Sequence, residues 1–204
     1  MGLKTYSNWL GALLLAIYVI FREGFDYPFW ANKPSYWSYI AEILFVLLVF
    51  VSLPIDRNQF KSFKIKYDLY ALVFLGLMVH WFGTSIGIVV PLDLEQPLTV
   101  ALLLLVAPLL EELVFRFALW ECFQNIVKKP VIIIVFTALL FSLSHFKAVF
   151  YLPKEFHPFI IYQTIYTLLL GLILGWQKHR RNSLPHAITG HFYFNLGFYL
   201  ATII

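Results

Sequence analysis

Seven stretches of this chain stay apolar for nearly the length needed to cross a bilayer: residues 6–21, 36–55, 68–90, 98–120, 130–151, 158–176 and 184–204. A membrane-spanning helix needs about 20 such residues. Between the stretches lie charged or turn-rich loops such as DRNQFKSFKIK, QNIVKKP and QKHRRNS. Pro91, Pro97, Pro130, Pro158 and Pro185 sit at their boundaries, where the missing proline N–H does least harm. The composition agrees, because 61% hydrophobic and 13% charged residues leave more apolar surface than a soluble globule can bury. The expected fold class is all-α: a polytopic membrane helix bundle of about seven transmembrane helices, with six to eight compatible with the boundaries. No small-residue cleavage site follows the first apolar run, so a retained span is expected there. A lone Cys122 excludes a disulfide within the chain and a multi-cysteine metal cluster.

The basic residues are distributed unevenly between the two sides that alternating spans would create. The N-terminus and the second, fourth and sixth loops hold Lys4, Arg57, Lys61, Lys64, Lys66, Lys128, Lys129, Lys178, Arg180 and Arg181. The opposite side holds only Arg22, Lys33, Lys147 and Lys154. The positive-inside rule then predicts a cytoplasmic N-terminus and a C-terminus outside; the setting expected for the chain is the cell membrane of a prokaryote. The net charge of +4 is therefore a matter of orientation in the lipid bilayer, and no nucleic-acid partner is expected. Two small-residue pairs, Gly171 with Gly175 and Gly83 with Gly87, are expected to support close helix packing.

Against this apolar background, EELVFR at 111–116 stands out. A charge at mid-bilayer costs roughly 3 kcal/mol even on a mild scale. Glu111 and Glu112 lie ~15 Å of helix from the expected end of span four, deep for a short side chain. Arg116 follows Glu112 at i,i+4 spacing, so these two can pair. Glu111, about 100° round the helix, points elsewhere and keeps a free face, as a general base requires. The bland alternative is a snorkelling arginine with two tolerated carboxylates near the interface.

Two more polar sites fall within expected spans. FSLSH sets Phe141 and His145 one turn apart in span five, and HFYFN sets His191 and Asn195 one turn apart in span seven. A single buried histidine is commonly a hydrogen-bonded structural residue. Two histidines, an asparagine and two glutamates on three spans should instead converge, since each seeks a partner in hydrocarbon. A Glu–His pair can deprotonate water, and a second histidine with an asparagine can donate to an oxyanion. That inventory suits hydrolysis without a side-chain nucleophile. The depths do not match on these boundaries: His145 lies ~22 Å from Pro130, against ~15 Å for Glu111 from its own end. Glu42 and His80 are also intramembrane, and helix-to-helix hydrogen bonding is expected of both.

In order and approximate spacing, Glu-Glu-x-x-x-Arg at 111–116, Phe-x-x-x-His at 141–145 and His-x-x-x-Asn at 191–195 resemble the CPBP family of intramembrane proteases. That family includes the CAAX prenyl endopeptidases and the bacterial Abi proteins. NSLPHAITGH also resembles its Ser-Leu lead into the last motif. The resemblance covers about residues 98–204 as the catalytic core, while residues 1–97 carry N-terminal spans without a recognised motif, the whole forming one integral membrane domain. It implies that Glu111 activates the attacking water with His145 assisting, and that His191 and Asn195 stabilise the oxyanion. Glu112, Arg116 and Phe141 would support them. The charge pairing favours Glu111 over Glu112 as the base, though the sequence leaves both open.

The implied function is an intramembrane endopeptidase acting on a membrane-associated protein or peptide, with peptide processing or bacteriocin self-immunity as the setting. No cofactor is expected. The alternative is zinc held by Glu111, His145 and His191, but no His-Glu-x-x-His pairing is present and an asparagine is an uncommon neighbour for such a site. A transporter or proton relay would also place Glu and His inside a bundle, but no repeated half is visible. A catalytically inactive immunity protein on the same fold is the third reading, and the intact motifs argue against it.

Overall fold

The computed structural model describes residues 3–20, 36–61, 67–150 and 152–204. The sequence-predicted features at Arg22, Lys33, Lys64 and Lys66 lie outside them. Among the described residues every regular element is helical, and seven helices build the molecule. They are α1 (Leu3–Val19), α2 (Tyr36–Ser52), α3 (Tyr67–Ser85), α4 (Pro97–Ile126), α5 (Pro130–Phe146), α6 (His157–Arg181) and α7 (Leu184–Leu200). Four of them, α3, α4, α5 with its short 3-10 extension and α6, are long and apolar enough to cross a membrane. Helices α1, α2 and α7 have 17 residues each, at the short end of the spanning range.

The outer surface is lipid-like. Leu44, Val51, Phe74, Leu105 and Val131 are each more than half exposed. On α6 the outward stripe is Ile161, Ile165 and Leu169, while Ile160, Thr167, Leu170 and Leu174 face inward. An apolar surface this extensive is suited to hydrocarbon and not to water, and the protein is a membrane protein.

Small residues set the closest approaches. On α3 and α7, Gly76 lies against the backbone of Phe194 and Phe198, and Gly197 against the backbone of Val73. A side chain at either position would overlap main-chain atoms, so these two glycines bring α7 hard against α3. The expected Gly171 and Gly175 pair packs as predicted, against Ala138 and Ile134 of α5. Of the other pair, Gly83 meets Tyr162, but an added Cβ at Gly87 would meet nothing. Gly87 instead ends α3 with a φ of 80°, a conformation glycine adopts without strain.

Helix α4 departs twice from regular α geometry. Residues Leu102–Val106 and Leu113–Ala118 are π-helical, and the intervening α segment is Ala107–Glu112. The first irregularity has a local cause. Pro108 has no N–H, and its ring would crowd the carbonyl one turn earlier in a regular α-helix. The wider turn relieves this, with the Ala107 N–H bonding back to the Leu102 carbonyl. Helix α4 also runs past the expected end at residue 120, because Leu119–Ile126 is amphipathic and buries Trp120, Cys122 and Phe123 against α1 and its neighbours.

One end of the bundle is tied by a polar knot. Asp56 caps the turn Arg57–Phe60 through the Asn58 N–H and accepts from Asn182 Nδ2 at 2.7 Å. Buried Gln59 donates to Glu121 Oε1 at 2.9 Å. Asp68 accepts from Arg181 at 2.7 Å and lies 3.3 Å from His186 Nε2. Ser183, in the predicted Ser-Leu lead, caps α7 by accepting from the His186 N–H. The α2–α3 connection, α4, and the α6–α7 turn thus meet at this end.

Candidate active site

The three predicted motifs converge. His145 Nε2 of α5 lies 3.8 Å from Glu111 Oε1, and His191 Nε2 of α7 lies 3.6 Å from Glu111 Oε2. The mismatch in depth disappears with the observed helix ends. Fifteen residues separate Glu111 from Ile126, and fifteen separate His145 from Pro130, about 22 Å of helix in each case.

Each ring is oriented by a second contact. His145 Nδ1–H donates to the Phe141 carbonyl at 2.9 Å, one turn earlier on its own helix, which leaves Nε2 as an acceptor facing Glu111. His191 Nδ1–H donates to Glu112 Oε1 at 2.9 Å, leaving its Nε2 turned to Glu111. The adjacent carboxylates therefore sit in different surroundings. Glu111 is about one-quarter exposed and contacts both imidazoles, whereas Glu112 is fully buried.

Glu112 is held as the i,i+4 spacing predicts. Arg116 Nη1 lies 3.0 Å from Glu112 Oε1, and both side chains are fully buried. Arg116 also donates from Nη2 to the Gly171 carbonyl at 3.2 Å. Its guanidinium stacks 4.5 Å above the centre of the Phe141 ring. Phe141, itself buried, is the wedge of the site: its ring stands edge-to-face to His145 at 4.9 Å and to His191 at 5.7 Å.

Asn195 is drawn to backbone. Its Nδ2 donates to the Leu103 carbonyl at 2.8 Å, in the first π segment of α4. The amide stays on the site side of α7, one turn from His191, with its second N–H uncommitted by that bond.

Sequence reasoning missed several participants. The carbonyls of Leu103, Phe141 and Gly171 carry no side-chain signature at all. Pro108 falls within the fourth apolar stretch, and no motif ties it to the site. Glu42, expected to hydrogen-bond between helices, is half-buried on the inward stripe of α2 with Phe45 and Val49. Tyr166 of α6 packs on Phe194 of α7 at 5.8 Å. His80, expected to hydrogen-bond between helices, instead packs edge-to-face on Phe198 at 4.9 Å, and its buried Nδ1 has no hydrogen-bond partner among the described residues.

For zinc, the donor set does not fit. Among the described residues no three His, Cys, Asp or Glu side chains are grouped as a metal site requires. Asn195 turns its amide nitrogen to the Leu103 carbonyl.

The family model described as type II CAAX prenyl endopeptidase, Rce1-like, matches residues 93–197. Neither the curated proteins nor the solved structures contain a significant match. The matched segment is just over half of the chain and contains α4 to α7 almost entire, with every residue of the convergent Glu, His, Arg and Asn cluster. With its polar residues gathered on those four helices inside an apolar bundle, this chain belongs to the Rce1-like family of type II CAAX prenyl endopeptidases.

Proposed function

We propose that this intramembrane endopeptidase hydrolyses a membrane-associated protein or peptide with a water molecule activated by Glu111, without a covalent intermediate. The observation that carries the reading is the Glu111 carboxylate held between His145 Nε2 and His191 Nε2, at 3.8 and 3.6 Å. Both gaps exceed hydrogen-bond length and suit polar groups that act through a shared water. Glu111 takes a proton from that water as its oxygen attacks the scissile carbonyl. His145 Nε2, an acceptor, steadies the water's other proton. His191, oriented through Nδ1 by Glu112, stabilises the oxyanion together with the second N–H of Asn195. Collapse of the tetrahedral intermediate breaks the C–N bond, and the proton on Glu111 passes to the leaving amine. Glu112, Arg116 and Phe141 hold the geometry, and residues 98–204 form the catalytic core.

The orientation proposed is a cytoplasmic N-terminus with the site reached by water from the cytoplasm. In support, Arg57, Lys61, Lys178 and Arg181 lie in or beside the polar knot at one end of the bundle. The test compares wild type with Glu111→Gln and His145→Ala by mapping membrane-protein termini in cells. A terminus that vanishes in both variants supports the reading. Unchanged termini with altered solute flux would favour a transporter.

A further inference from the structure

In a regular helix the Leu103 carbonyl would accept from the N–H four residues on, and in a π turn from the N–H five residues on. Neither donor exists here. The Ala107 N–H goes to Leu102, and residue 108 is proline. A main-chain carbonyl left without a partner in an apolar bundle is costly. Asn195 reaches across from α7 and donates to it at 2.8 Å.

We infer that Pro108 and Asn195 form a matched pair, in which Asn195 is a positioning residue whose amide replaces the N–H that proline removes and clips α7 to the widened turn of α4. The clip lies one turn from His191 on α7 and just ahead of the segment Ala107–Glu112 that bears both glutamates. Together with the Glu112–His191 bond it gives α4 and α7 two tethers, which set the register of Glu111 against the imidazoles. It also fixes the plane of the Asn195 amide, so that its second N–H has one direction to point. The inference rests on the peptidase reading only for its effect on turnover.

The test is a double-mutant cycle on the purified full chain in bilayer nanodiscs, using Asn195→Ala, Pro108→Ala and both together. An alanine at 108 supplies an N–H within the helix, so the asparagine should matter less beside it. In the proline background N195A is expected to lower the unfolding midpoint by about 3–8 °C and to speed amide exchange over residues 98–107. In the P108A background both effects should fall to less than half. Turnover of a farnesylated CAAX peptide should drop at least about tenfold in N195A, in kcat more than KM, and recover in part in the double variant. Equal losses of stability in both backgrounds overturn the pair, whatever the activity. Coupled stability without any recovery of kcat assigns the whole loss of turnover to the missing oxyanion N–H and overturns the positioning role. A wild-type enzyme inactive on every peptide tested would sink the peptidase reading, while the stability and exchange arms would still decide the clip.

Discussion

Glu112 and His191, 79 residues apart in sequence, are joined by a bond of 2.9 Å from ring Nδ1–H to carboxylate, and the same carboxylate oxygen is 3.0 Å from Arg116. One fully buried carboxylate thus orients an imidazole of the site and neutralises a buried guanidinium, so disturbing any member should disturb the other two.

Arg116→Ala would strand the Glu112 charge in the core and remove the side-chain donor from the Gly171 carbonyl. The expected loss of stability is about 3–5 kcal/mol, read from unfolding in micelles. Arg116→Lys should recover only part of it, since an ammonium cannot stack flat on Phe141 while reaching both oxygens. A loss below about 1 kcal/mol for the alanine variant would refute the buried-pair account.

The two neighbouring glutamates should fail differently. Glu111→Gln keeps shape but removes the base, so kcat should fall roughly 10²- to 10⁴-fold with little change in thermal stability. Glu112→Gln should cost stability as well, because Arg116 loses its counter-charge. If Glu112→Gln is inactive yet fully stable and Glu111→Gln retains turnover, the base has been assigned to the wrong residue.

Gly171 packs so closely that an added Cβ would lie 3.0 Å from the Ala138 Cβ and 3.3 Å from Arg116 Nη2. Gly171→Ala is expected to cost about 1–3 kcal/mol by forcing α5 and α6 apart. Ala138→Gly in the same chain should relieve it. Failure of that rescue would mean the strain falls on Arg116 instead.

Metal removal should leave activity intact. Dialysis against a chelator, followed by elemental analysis and assay of the same sample, is expected to show full turnover without stoichiometric zinc. Loss of activity that returns on adding zinc back would replace the glutamate mechanism.

Outside the spans, Asp56 is held below the ordinary aspartate range, first by the Asn58 backbone N–H and then by Asn182. A carboxylate whose folded value is depressed contributes stability above its unfolded value, about 4, and loses it as pH falls through the folded value. The difference in unfolding midpoint between wild type and Asp56→Ala should therefore be present at pH 7 and shrink towards pH 3. A difference constant across that range would show that the charge plays no part in tying the loop to the α6–α7 turn.

Residues close together in sequence announced most of the fold. Apolar lengths marked the helices, Gly171 and Gly175 one tight interface, and the i,i+4 spacing of Glu112 and Arg116 their ion pair, because these depend on helical periodicity and on lipid's intolerance of unpaired polarity. Three motifs in order also named the family. What only the tertiary structure decided is which partners each of the neighbouring glutamates meets, and where Asn195 spends its first hydrogen bond. Both outcomes turn on backbone: a proline and two π turns change the register of α4, and carbonyls of Leu103, Phe141 and Gly171 accept from site residues. A main-chain oxygen is the same atom in every residue, so its partner is set by where the helices come to lie and leaves no trace in side-chain pattern.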